Sequence, residues 1–167
     1  MSAPFLRRAG PADARAIAEM LSGVLAAADT SAITGPVAAA TIRAWMGAAS
    51  ERSVWHVAED AAGECLGVQW IEPDDDLPAD TADTADIATF VAHGRQRIGT
   101  GSALFAATVP AARALGYRWL HAAIRADNAG GLIYYRSRGF EPLGRITDRP
   151  LADGRRIDRI AMRYDLT

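Results

Sequence analysis

An apolar run that ends at Val91 is followed, five residues on, by Gln96-Arg97-Ile98-Gly99-Thr100-Gly101, and a helical pattern of apolar residues begins inside that hexapeptide. Glycines at this spacing let the backbone approach an anion with no Cβ in the way, and they tolerate positive φ. The first N–H groups of the helix that follows have no intrahelical acceptor, and that helix end carries about half a positive charge. These residues suit the binding of phosphate, and the predicted ligand is a pyrophosphate.

Two common glycine motifs fit poorly. A Walker A loop needs Lys and then Ser or Thr after its last glycine, whereas Gly101 is followed by Ser102-Ala103. The dinucleotide fingerprint needs a third glycine where this chain has Leu104, and it normally lies near the first strand of a βαβ unit. The pattern Gln/Arg-x-x-Gly-x-Gly/Ala instead resembles the acyl-CoA-binding motif of the GNAT acyltransferase superfamily. A second segment strengthens the likeness. Asn128, Tyr135 seven residues later, and Gly139-Phe140 resemble the family's Asn…Tyr-x-x-x-Gly-Phe ending, and two motifs in the correct order are far less expected by chance than one. The resemblance is clearest over Ile87 to Phe140, about a third of the chain. A looser likeness to amino-acid N-acetyltransferases of the phosphinothricin kind rests on the amino-terminal stretch and on Asp153-Gly-Arg-Arg-Ile-Asp-Arg159.

The resemblance implies transfer of an acyl group, most simply acetyl, from acetyl-CoA as cosubstrate to a primary amine by direct attack, with no metal. It places Gln96, Arg97, Ile98, Gly99, Thr100, Gly101 and Ser102 around the pyrophosphate. The main chain of Thr89, Phe90 and Val91 then lies beside the acyl-CoA arm and the developing oxyanion. Asn128 positions the cofactor arm, and Tyr135 helps the thiolate to leave. Structural roles compete with both: a packed tyrosine on an apolar helix face, and a plain helix cap. The base that takes the amine's proton is left open between Glu72 and Asp86, acting through water. The acceptor is equally open among an amino acid, a small amine, an aminoglycoside and a peptide amino terminus, with a small molecule preferred and a homodimer allowed. A module that binds acyl-CoA without turnover is the competing class.

The elements that must hold these groups follow from periodicity. Phe5 to Arg8 reads as a strand stopped by Gly10-Pro11. Ile17, Met20, Leu21, Val24 and Leu25 recur at helical spacing as a core stripe, and a second helix is predicted over Pro36 to Ala49 with Val37, Ile42, Trp45 and Met46 inward. Val54 to Glu59 and Cys65 to Ile71 form an antiparallel pair with Trp55 and His56 on opposite faces. Pro73 to Asp86 carries six aspartates and no basic residue, which predicts a solvated loop; its sharper reading is a lure for a cationic amine. Ile87 to Val91 feeds the glycine turn, and Thr100 to Leu115 leaves it as a helix in which Pro110 predicts a kink or break near Ala106. Tyr117 to Ile124, Leu143 to Thr147 and Ile157 to Tyr164 complete the strands, and Arg155, Arg156, Arg159 and Arg163 read as a solvated face. The chain is therefore expected to be a single mixed α/β domain over residues 1–167, GNAT-like, with a mostly antiparallel, splayed sheet flanked by helices.

Composition narrows the class. The 167 residues are 50% hydrophobic and 23% charged with a net charge of −2, an ordinary globular balance with no general pull toward nucleic acid or an anionic membrane. Cys65 is the one cysteine, which excludes an internal disulfide framework and suits a cytoplasmic protein. Neither a signal peptide nor a spanning apolar run is evident.

Overall fold

The computed structural model describes residues 2–74, 82–95 and 99–167. Among these residues seven strands form one sheet in the order β1-β2-β3-β4-β5-β7-β6. They are β1 (Phe5–Arg8), β2 (Val54–Glu59), β3 (Cys65–Pro73), β4 (Thr84–Val91), β5 (Trp119–Arg125), β6 (Glu141–Pro150) and β7 (Arg156–Asp165). Every neighbouring pair is antiparallel except β4 and β5. The helices are α1 (Ala14–Ala27), α2 (Ala39–Gly47), α3 (Thr100–Ala114) and α4 (Ala129–Ser137).

Side chains alternate along each strand, so the sheet has two apolar faces and two cores. Trp55, Val57, Val68 and Trp70 pack under α1 and α2 with Ile17, Leu21 and Ile42. Val54, Ile71, Ile87, Leu120 and Ile124 pack on the other face with Phe105 of α3 and Tyr135 of α4. His56 points to this second face, buried beside Thr108 of α3. Burial, with a smaller push from Arg8, lowers its pKa and keeps it neutral.

One irregularity organises the molecule. The parallel strands β4 and β5 pair only at Thr84–Trp119, Ala85–Leu120 and Asp86–His121. Beyond these pairs β4 stays with β3, and β5 stays with β7. The sheet therefore opens as a V between residues 87–91 and 122–125.

Several boundaries differ from the sequence reading for physical reasons. The second helix runs only Ala39–Gly47, because Ala38 is already extended (φ −81°, ψ 152°). The residues before it include Val37, whose main chain exchanges hydrogen bonds with the Ser22 hydroxyl of α1. Pro110 does not break α3, which is continuous from Thr100 to Ala114. Both Pro110 and Ala106 are exposed, so the carbonyl that loses its hydrogen bond faces water. The aspartate-rich stretch is not one solvated loop: β3 runs on to Pro73 and β4 starts at Thr84. Asp86 thus sits inside a strand, and the Asp74 side chain is only 9% exposed. Asp75, Asp76 and Asp80 lie outside the described residues.

The arginine-rich strand is also less simply solvated than its sequence implies. Arg155 is paired with Asp29 and Asp153, Arg156 with Asp148, and Arg163 lies 4.4 Å above the Trp119 ring.

Candidate functional site

The V between β4 and β5 is the mouth of a cavity of about 900 Å³. The glycine turn and α4 bound it on one side, and α1, Trp45 and the outer half of β3 bound it on the other. Gly99 caps α3 in the left-handed conformation, φ 86°, which only glycine adopts freely. Among the described residues, apart from its chain neighbours, a Cβ there would meet no atom within 4 Å. Gly101 is glycine for a different reason: a Cβ would lie 2.8 Å from the Tyr134 ring. Thr100 is buried, with its Cγ2 against the place a Cβ on Gly67 would occupy. Ser102 is exposed. Gln96, Arg97 and Ile98, expected around the same phosphate, lie outside the described residues.

Arg138 is a group that sequence reasoning missed. It lines the cavity, its Nη1 donates to Ser102 Oγ at 2.7 Å, and its buried Nε has no partner among the described residues. A guanidinium thus stands beside the positive end of α3. Its position one residue before Gly139 was visible in sequence, but the inter-helix contact with Ser102 was not.

The β4 edge bears Thr89, Phe90 and Val91, the residues whose main chain is expected beside an acyl arm. Ala92 N–H donates to the Leu66 carbonyl of β3, so strand alternation directs the main chain of Phe90 toward β3 and that of Thr89 and Val91 toward the splay. The Phe90 side chain stands on the acceptor face, 5.7 Å from Trp70. The main chains of Thr89 and Val91 thus face the splay, whereas that of Phe90 faces β3.

Two tyrosines of α4 share a buried network. Gln69 is fully buried, and its Nε2 donates to Thr89 Oγ1 at 2.9 Å and to the Tyr134 hydroxyl at 3.1 Å. Thr89 Oγ1 lies 2.9 Å from the Tyr135 hydroxyl, and the Tyr134 hydroxyl donates to the Gly101 carbonyl at 2.8 Å. Burial pushes the Tyr135 pKa well above the usual phenol range, with the Thr89 contact opposing it; Tyr134 shifts the same way, again from burial. Both hydroxyls are therefore firmly protonated donors. Asn128 is the N-cap of α4, its Oδ1 accepting from Gly131 N–H at 2.9 Å, and it also lines the cavity.

Carboxylates meet at the apex of the V. Asp86 and Glu72 face each other across β3 and β4, and both line the cavity. Asp86 is set deep in the protein yet has 39% of its side-chain surface open, so an acceptor can reach it. Its pKa is raised, first by burial, with His121 opposing and Asp74 adding to the rise. His121 Nδ1 lies 2.8 Å from Asp74 Oδ2 and 3.6 Å from Asp86 Oδ1. The 2.8 Å contact is an ion pair rather than an aligned hydrogen bond. Asp74 first, and then Asp86, raise the His121 pKa to about 9. Asp74, Asp86 and His121 could offer three metal-ligand atoms within 4.8 Å of one another. A proton on His121 competes with a metal for that place.

Across the cavity, Arg125 is 3% exposed and is held by Asp29 at 2.7 Å and Asp127 at 2.8 Å. Among the described residues no helix is long and apolar enough to cross a membrane.

Comparisons with known proteins agree with this geometry. No curated protein sequence matches significantly. Among solved structures, a candidate phosphinothricin N-acetyltransferase superposes with a TM-score of 0.83 at 26% identity, covering 98% of this chain and 99% of that one. YncA of Salmonella typhimurium, a candidate acetyltransferase solved with its cofactor acetyl-CoA, gives 0.85 at 22% identity, covering 99% and 95%. A phosphinothricin acetyltransferase from Sinorhizobium meliloti in complex with acetyl-CoA gives 0.84 at 22%, covering 98% and 89%. The sequence model of the Acetyltransferase (GNAT) family matches residues 25–140. With the glycine turn, the splayed strands and the α4 tyrosine meeting at one cavity, the chain belongs to the GNAT family of acetyltransferases.

Proposed function

We propose that the protein transfers the acetyl group of acetyl-CoA to the primary amine of a small molecule by direct attack. The observation that carries this reading is the cavity itself, which joins an anion-binding turn to a reachable carboxylate through the V in the sheet. The first-turn N–H groups of α3, the left-handed turn at Gly99 and the Arg138 guanidinium suit a pyrophosphate. Gln96, Arg97 and Ile98 belong to the same proposed cradle. Thr89 and Val91 offer main-chain groups to the extended arm and to the carbonyl oxygen as charge builds on it.

An amine attacks only when neutral, so its ammonium must first lose a proton. Asp86 takes it: the carboxyl is open to the cavity, and its raised pKa brings it closer to that of a base useful at neutral pH. The neighbouring His121, 3.6 Å away, opposes that rise. The amine nitrogen then forms the new N–C bond while the C–S bond breaks, CoA departs as its thiolate, and the second proton of the nitrogen passes to that thiolate, so that the products are the acetyl amide and the free thiol. Tyr135 supplies a hydrogen bond toward the departing sulfur rather than complete proton transfer. A thiol of pKa about 8.5 is already a weaker base than a phenolate of about 10, and burial widens that gap.

A binding module without turnover needs no reachable base, so the placement of Asp86 favours an enzyme. Free-thiol release from acetyl-CoA with a panel of amines tests the reading. Asp86→Asn is expected to lower kcat/KM by about 10²-fold while leaving acetyl-CoA affinity near wild type. Undiminished turnover in that variant would remove Asp86 from the chemistry.

A further inference from the structure

We infer that the acceptor is a primary amine joined by a short arm to an aromatic ring, an inference that rests on the transfer reading above. The acceptor half of the cavity combines aromatic surface with the Glu72 and Asp86 carboxylates, and Thr30, Ser31, Arg125 and Arg159 line it as well. Trp70 stacks on Trp55 with centroids 4.2 Å apart, lies 5.7 Å from Phe90 and 6.1 Å from Trp45. The stack is thus anchored in the core. Trp45 and Phe90 are only half-buried and, with Leu25 and Ile33, line the cavity.

Charge fixes the orientation of a guest on this wall. Trp70 and Ala88 pair across β3 and β4 one step from the Glu72–Asp86 pair on the same face, so a carboxylate lies a strand-neighbour's distance, about 7 Å, from the aromatic wall. A ring on the wall therefore leaves a two-atom arm to carry the ammonium to Asp86, from which the nitrogen, once deprotonated, faces the thioester. Arg125 is already held by Asp29 and Asp127, so an acceptor carboxylate is not required. Ring on aromatic wall and ammonium on carboxylate are complementary contacts of known strength. An aliphatic diamine or a phosphinate amino acid would leave the wall uncovered.

The shared chemistry could come from an arylalkylamine or from an aromatic amino acid, and the test separates them. Thiol release is measured for phenethylamine, tryptamine, phenylalanine, ethanolamine, putrescine and phosphinothricin, and phenethylamine binding is measured by calorimetry without acetyl-CoA. The aryl amines are expected to exceed the others in kcat/KM by about 10²-fold, the discrimination apolar pocket contacts reach. Trp45→Ala should collapse that ratio toward unity and abolish the calorimetric signal, while Trp45→Phe restores most of both. Phenylalanine turnover matching phenethylamine would assign the amino acid as an equal source. Turnover without aryl preference, or a ratio untouched in a folded Trp45→Ala, overturns the acceptor class and leaves acetyl transfer standing. Phenethylamine binding lost in Trp45→Ala, with no thiol released for any amine, supports the subsite and overturns transfer; absence of both overturns the two together.

Discussion

At the scale of residues, the two adjacent tyrosines divide the work. Tyr135→Phe removes only the hydroxyl near Thr89 and keeps the ring stacked edge-on against Phe140. The expected result is a fall in kcat of about 10²-fold with the melting temperature and acetyl-CoA affinity nearly unchanged, read where chemistry limits turnover. Tyr134→Phe acts through the network rather than on the reacting atoms. Loss of the bonds to Gly101 and Gln69 should weaken acetyl-CoA binding by about 3- to 10-fold by calorimetry, the worth of one net hydrogen bond; wild-type affinity would make the network incidental. The glycines divide similarly. Gly99→Val opposes a left-handed φ beside the proposed pyrophosphate, so binding should be lost from a folded protein. Gly101→Val meets the Tyr134 ring and should lower the melting temperature as well. Motif spacing marked Gly99, Gly101, Asn128 and Tyr135. It could not show Arg138 or Tyr134, because their roles depend on how α3 and α4 face each other.

Among elements, the apex of the V is the place where the sequence was least informative. His121, Asp74 and Asp86 come from the end regions of three strands, and no spacing links them. Their ionisation gives a pH test with a definite sign. The His121 pKa is raised to about 9 from an ordinary 6.5, so its stabilisation is complete below about 6.5 and is lost as pH rises through 9. Asp86, also raised, acts in the same sense from the carboxylate range upward. The melting temperature should therefore fall between pH 6.5 and 9.5 by more in wild type than in His121→Gln, and parallel profiles would dissolve the pair. Neutralising Asp74 to probe electrostatic capture of an amine would loosen this ion pair too, so the lure hypothesis needs substitutions that spare it. Helices were read well where periodicity was unbroken and poorly at Pro110, whose exposure sets its cost. Pro110→Ala restores one backbone hydrogen bond on a solvent-facing turn and should stabilise by about 1–2 kcal/mol, less than the full helix-interior penalty because the unfolded chain also gains freedom. Denaturant midpoints would decide it.

For the whole molecule, the order of elements was legible because alternating and helical periods switch cleanly along the chain, and each strand predicted from sequence is present with its ends moved by a few residues. The splay was not legible from those periods. It arises where β4 and β5 part after Asp86 and His121, a tertiary event that the family resemblance anticipated and local pattern did not. In the proposed reaction that opening lets a cofactor on the α3–α4 face meet an acceptor on the α1–α2 face, with Asp86 where the two halves join. The measurement that tests this most directly follows both products together: free thiol by absorbance and N-acetylated phenethylamine by mass spectrometry, from acetyl-CoA and wild-type protein. One acetyl amide per thiol, with Asp86→Asn slowing both alike, is the result expected. Acetyl-CoA bound at the glycine turn with thiol release unchanged by any amine would contradict the account and leave a binding module in its place.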